Sequence, residues 1–150
     1  MSDLFKSIGP VLIVDDDEQF RDEFKALLQE LGAEVFTQES GSHAVRFMTN
    51  QPWTWRPGMI FTDLVMDGMG GYQLIRRVQE IYPNRNIPVI VVSKLDAGVD
   101  LGEAEIAGAA GYLTKPVAEQ ELRTMIDRVI KREKRGMIYL MQEGKKPSNR

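Results

Sequence analysis

Short apolar runs alternate with amphipathic stretches along most of this chain. Residues 10–14, with Val11-Leu12-Ile13-Val14, predict a buried strand, and 18–31 predict a helix presenting Phe20, Phe24, Leu27, Leu28 and Leu31 on one face. Gly32 stops that helix, 33–37 form a short strand, and Ser40 caps a helix running to about Thr49. A loop bracketed by Pro52 and Pro57 carries Trp53 and Trp55, after which Met59-Ile60-Phe61-Thr62 is a third strand. Gly70-Gly71 precede a helix over 72–81, which Pro83 ends. Pro88 leads into a strand at 89–92, a weaker helix covers 100–107, and 111–114 form a fifth strand. Beyond Pro116 a last helix carries Leu122, Met125, Ile126, Val129 and Ile130.

Near-continuous apolar strands separated by amphipathic helices require a parallel sheet covered on both faces. The expected fold is therefore an α/β, doubly wound, five-stranded parallel sheet of order 2-1-3-4-5 with flavodoxin-like topology. Ligands in such sheets bind beyond the carboxyl ends of the strands. Asp15, Asp16 and Asp17 follow the first strand directly, and Asp63 follows the third, its neighbour in this order. Clustered carboxylates repel unless a cation, a proton or solvent relieves them, so the pattern points to a small acidic pocket suited to a hard cation.

Composition narrows the classes. The 150 residues suit one domain of ordinary soluble character, with 43% hydrophobic and 27% charged residues. The absence of cysteine removes disulfides, thiolate nucleophiles and cysteine zinc sites. No apolar run approaches the roughly 20 residues needed to span a bilayer, and the first residues show no secretory pattern, so a cytoplasmic protein is expected. The net charge of −3 is uneven: residues 131–150 hold seven Lys or Arg against two Glu, which leaves the acidic excess in the body. An acidic body argues against broad nucleic-acid binding.

The ordered set of residues at strand ends resembles the receiver domain of two-component response regulators, of the chemotaxis type, over about residues 9–130. The family's acidic pair matches Asp15 and Asp16, and its phospho-accepting aspartate matches Asp63 in Thr62-Asp63-Leu64-Val65-Met66. Its hydroxyl residue after the fourth strand matches Ser93, and its aromatic switch and Lys-Pro match Tyr112, Lys115 and Pro116. The resemblance implies a signalling switch that takes a phosphoryl group on Asp63 from a sensor histidine kinase or phosphotransfer protein. It implies Mg²⁺ held by Asp15, Asp16, Asp63 and the Val65 backbone carbonyl, with Lys115 and Ser93 contacting phosphate and Ser93 and Tyr112 switching. It also implies self-catalysed phosphorylation and slow dephosphorylation rather than enzymatic turnover, a dimer or an unknown protein target at the face near strands four and five, and a cis Lys115-Pro116 bond.

Three departures stand out. Asp67 and Gly70 replace a proline and an acid in the loop after Asp63, and Lys94 occupies a position after Ser93 that is usually small. They keep open a second reading, an interaction scaffold that is never phosphorylated. An aspartyl-nucleophile hydrolase would need an acid where Val65 stands, and a flavin site would need a Ser/Thr/Gly-rich loop after the first strand. The blander expectations are that Asp17 and Glu18 serve a helix start, that His43 has no ligand partners, and that Trp53 and Trp55 cover the core or sheet edge. Met48, Met66, Met69 and Met125 are expected to fill core or pocket rim, and Glu103 and Glu105 to face solvent. Residues 131–150 are read as a basic extension or linker, helical in part or packing through 137–141, too short to hold a helix-turn-helix DNA-binding domain.

Overall fold

The structure is a computed structural model that describes residues 4–6, 8–94, 101–131 and 138–139. Six parallel strands, β1 (Val11–Val14), β2 (Val35–Gln38), β3 (Met59–Thr62), β4 (Val89–Lys94), β5 (Gly111–Lys115) and β6 (Ile138–Tyr139), form one sheet of order β2-β1-β3-β4-β5-β6. Helices α1 (Glu18–Glu30), α2 (Gly41–Thr49), α3 (Gly71–Ile81), α4 (Leu101–Ala107) and α5 (Glu119–Lys131) alternate with the strands. The expected order 2-1-3-4-5 is present, and β6 extends it.

That two-residue strand is the part the sequence reading lacked. It pairs with β5 through Gly111↔Ile138 and Tyr112↔Tyr139. The anticipated packing of 137–141 thus takes the form of strand addition at these two residues, while the rest of the tail and Asp100 lie outside the described residues.

Alternation along each strand divides the core in two. Val11, Ile13, Met59, Phe61, Ile90, Val92 and Leu113 face α1 and α5 with Phe24, Leu28, Leu122 and Met125. Leu12, Val14, Ile60, Val89, Val91 and Tyr112 face the other side with Ala44, Met48, Leu74, Ile75 and Ala104. All four residues of β1 and of β3 are buried, as strands paired on both sides and covered on both faces must be. β2, at the sheet edge, is only half-buried, and it begins two residues later than expected because Ala33 and Glu34 belong to the turn that receives α1.

The aromatic expectation divides. Trp55 sits edge-on to Phe36 and Phe47, with centroids at 5.8 and 5.4 Å, and covers the core as anticipated. Trp53 does not: it is 94% exposed. A turn closed by the Trp55 N–H donating to the Pro52 carbonyl points one indole inward and sends the other out. Met48, Met66 and Met125 are buried, Met69 is half-buried, and Glu103 and Glu105 are exposed.

Candidate functional site

The acids sit where two backbone ladders run out. The Asp15 N–H donates to the Gln38 carbonyl at 3.1 Å, and the Asp63 N–H donates to the Val14 carbonyl at 2.9 Å. Each ladder therefore continues one residue past its strand and fixes the Cα of the acid before the chain turns away. Val14 pairs with Thr62, so the carboxylates emerge side by side. One oxygen from each of Asp15, Asp16 and Asp63 lies within 4.8 Å of the others.

The three differ in environment. Asp15 is buried, Asp16 exposed and Asp63 between them. Burial pushes the Asp15 carboxyl above the ordinary carboxylate range. The Lys115 ammonium and the Asp17 N–H oppose that rise, and the neighbouring Asp63 adds to it. Lys115 Nζ donates to Asp15 Oδ2 at 2.7 Å and lies 3.6 Å from Asp63 Oδ2. The same ammonium rests 4.2 Å from the centroid of Phe20, so the aliphatic stem and the charge are both accommodated at a nearly buried position. The Lys115–Pro116 peptide is cis, as the resemblance implied.

Asp63 is held on its other side by its own loop. The Leu64 N–H donates to Asp63 Oδ1 at 2.7 Å, and the Gly71 N–H donates to the Leu64 carbonyl at 2.8 Å. A side chain at Gly71 would place its Cβ 2.7 Å from the Asp63 carbonyl oxygen, so only glycine lets α3 begin this close to the strand end. Gly68, at φ +76°, turns the intervening loop.

The remaining candidates are nearby or around the rim. Ser93 is buried at the end of β4 in register with Thr114, and Lys94, the next residue, is exposed in register with Lys115. Tyr112 is buried in the second core layer, an inward position. Val65, whose carbonyl was a candidate ligand, is exposed on the loop after Asp63. Asp17 caps α1, accepting from the Phe20 N–H at 3.2 Å, in agreement with its expected helix-start role. His43 is occupied by Ser40, the N-cap of its own helix, at 2.6 Å and lies 3.6 Å from Glu39.

Two contributors were missed from sequence. Phe20 was assigned only to the apolar face of α1, and its place under Lys115 depends on a residue 95 positions away. Arg21 donates to the Asp15 backbone carbonyl at 2.7 Å, bringing a cation beneath the acid pair. Nothing in its local sequence marks it.

The donor set fits Mg²⁺. Three hard carboxylate oxygens converge, and the exposure of Asp16 leaves one side open to water, which that ion retains. Chemically the arrangement offers a partly exposed carboxylate beside a fixed ammonium and a cation site.

The sequence profile described as the response regulator receiver domain matches residues 11–127. The chain is 36% identical over 121 residues to the heme response regulator HssR of Staphylococcus aureus, covering 81% of this chain and 51% of that protein, so it spans about half of HssR. It is 32% identical over 120 residues to protein PilH of Pseudomonas aeruginosa, covering 80% and 96% of the two. Among solved structures, a response regulator receiver domain protein from Clostridium thermocellum superposes with a TM-score of 0.70 at 30% identity, covering 83% and 96%. The chemotaxis protein CheY4 of Vibrio cholerae gives 0.70 at 26% identity, covering 82% and 99%. The strand-end acids, the lysine facing them and this match over most of the chain have one common explanation: the chain belongs to the response regulator receiver domain family.

Proposed function

We propose that Asp63 is the phosphoryl acceptor of a signalling switch whose donor is a phosphohistidine on a sensor kinase or phosphotransfer protein. One observation carries the reading: Asp63 is the member of the carboxylate cluster intermediate in exposure between buried Asp15 and exposed Asp16, oriented by the Leu64 N–H and facing Lys115. A carboxylate oxygen of Asp63 attacks phosphorus in line as the P–N bond breaks, and the bonding pair leaves with the imidazole, which takes up a proton. Asp15, Asp16 and Asp63, with the Val65 carbonyl, would hold Mg²⁺, which supplies neutralisation of charge developing on the phosphoryl oxygens. Lys115 then exchanges part of its contact with Asp15 for the phosphoryl oxygens as a point charge. Ser93 donates its hydroxyl to the product, and the space it leaves draws Tyr112 further inward, with phosphate biasing two conformations of the β4–β5 face.

The functional unit is taken as residues 9–130, with 131–150 a basic extension. The protein acts in the cytoplasm and catalyses only its own phosphorylation and slow dephosphorylation. Its output is a protein contact, with a second copy or another target, at the β4–β5 face. Incubation with a small phosphodonor and Mg²⁺ should add one acid-labile phosphate, and Asp63→Asn should abolish it. Undiminished labelling of Asp63→Asn removes the assignment. Absence of labelling in the unaltered protein favours the scaffold reading.

A further inference from the structure

The opposite end of the sheet carries a feature that the phosphoryl chemistry does not use. The loop between α2 and β3 is tied down along its length. The Trp55 N–H donates to the Pro52 carbonyl at 2.9 Å, Trp55 packs between Phe36 and Phe47, Pro57 is buried, and the Gly58 N–H donates to the Pro10 carbonyl at 2.8 Å. Gly58 approaches so closely that any Cβ there would overlap the Ile8 backbone. From this rigid turn Trp53 projects into solvent, 94% exposed. The backbone that carries this large apolar surface is held by proline and by the packing of Trp55, so binding would have little backbone freedom left to remove.

The same loop supplies Arg56 to the rim of an open cleft of roughly 420 Å³, where Arg85 stands with it above Met59, Ile87, Pro88 and Ile130. Neither guanidinium has a carboxylate partner among the described residues, although the body of the chain is rich in acid. Ile130 is one of the few large apolar residues left open to solvent. Arginines over an apolar floor, with an exposed tryptophan three residues before Arg56 on the same loop, are the composition of interface anchors.

We propose that the Pro52–Pro57 turn, through Trp53, together with Arg56 and Arg85, is a docking site for an acidic segment of a partner protein bearing an apolar anchor such as leucine or phenylalanine. Charge decides the occupant. The chain's own extension after residue 131 carries six Lys or Arg against two Glu, the wrong charge to complement two arginines. A second copy presents an acidic cleft at the other end, lined by Asp16, Glu18, Glu39 and Asp67 beside Arg21, and docking head-to-tail through it would cover that copy's own acceptor site. Because β3 runs from Met59 at the cleft to Thr62 beside the acceptor, the two ends stand roughly 10 Å apart across the sheet. A partner bound here leaves Asp63 open and stays bound through phosphorylation.

The test uses the full chain and its two tryptophans. In a Trp55→Phe background, emission reports Trp53 alone. A synthetic twelve-residue peptide with one phenylalanine and one leucine among aspartates and glutamates is titrated against a counterpart carrying lysines in place of the acids. The acidic peptide should shift emission to the blue, protect Trp53 from acrylamide and bind at least about tenfold more tightly than the basic one. Binding should weaken with salt. In the chain that keeps Trp55, read by calorimetry, Trp53→Ala should weaken binding roughly 30-fold. Arg56→Glu with Arg85→Glu should reverse the charge preference while phosphodonor labelling stays unchanged. No binding, or equal affinity for both peptides, overturns the proposal. So does self-association that Trp53→Ala removes, which would make a second copy the occupant, or binding to anionic phospholipid vesicles in place of the acidic peptide.

Discussion

The two layers that cover the sheet hold the candidate site by opposite means. The α1/α5 layer works by volume: Phe20 stacks on Phe24 at 5.2 Å, and Phe24 meets the edge of Phe61 at 5.1 Å. This aromatic row leads from beneath the Lys115 ammonium into the centre of the core. The α2–α4 layer works near the site by the absence of side chains. Gly71 lies against the Asp63 carbonyl and Gly41 against Met69, while Ala44, Ala104 and Ala109 sit with Tyr112 in a layer otherwise filled by larger residues such as Met48, Leu74 and Ile75. One layer fixes the lysine and the acid pair, while the other sets the strand end that bears Asp63 and contains the residue proposed to move. A close-packed side-chain row resists displacement, and backbone seated directly against a glycine has no side chain between to absorb added volume.

The comparison is broken most severely by taking volume out of the first layer. Phe24→Ala should cost about 3–5 kcal/mol, the range for emptying a buried phenylalanine, and urea unfolding would show it as a lowered midpoint. Phosphodonor labelling per folded molecule should change little. A loss below about 1 kcal/mol would mean that the aromatic row does not anchor this face. Adding volume to the second layer should do the reverse. Gly71→Ala puts a Cβ against backbone that cannot swing aside, so about 1–3 kcal/mol of stability should be lost and the Asp63–Leu64 backbone displaced. Its labelling rate should fall by more than that of Phe24→Ala, although its stability falls by less. Equal labelling in the two variants would erase the distinction between the layers.

Much of this arrangement was legible in the chain. Strands buried on both faces read as unbroken apolar runs, and acids directly after them could only lie at the carboxyl edge. Asp15, Asp16 and Asp63 were placed that way, and Asp17 was separated from them as a helix-start acid, which the structure makes the N-cap of α1. What sequence could not supply was partnership across long separations. Lys115 divides its charge between Asp15 and Asp63, with Phe20 beneath, and no local pattern joins those four residues. Trp53 and Trp55 share the same flanks, so only the closed turn distinguishes the inward ring from the outward one. A two-residue strand in a basic tail lies below the length at which alternation carries information, which is why β6 went unread.

Asp15 stands where the layers meet, and its protonation should reveal how much the first one compensates for burial. Its folded value is raised above the ordinary 3.8, so the stability it contributes is full below about that pH and is lost as pH rises through the folded value. In metal-free buffer, the stability of the protein relative to Asp15→Asn should therefore fall as pH rises above about 4. The asparagine variant is uncharged throughout and keeps an acceptor for Lys115. A difference that is flat with pH, or one that grows in favour of the aspartate, would show that Lys115 and the Asp17 N–H fully offset desolvation.

The smallest effect concerns the start of α3, where the second layer lacks a conventional cap. Gly70 occupies the N-cap position with extended backbone, φ −83° and ψ 178°, and no side chain accepts from the first turn. That conformation is open to any residue, so glycine is not required there as it is at Gly71. Gly70→Asp should supply the missing acceptor and a favourable charge at the helix N-terminus, for a gain of a few tenths of a kcal/mol. The gain is limited because the new Cβ would lie 3.1 Å from the Leu64 carbonyl oxygen, and the loop already carries Asp67. A small rise in the thermal midpoint without change in labelling would place the whole constraint of this layer on Gly71. A loss of stability would mean that both glycines are needed for α3 to meet the backbone behind Asp63, and that the tight approach spans two residues rather than one.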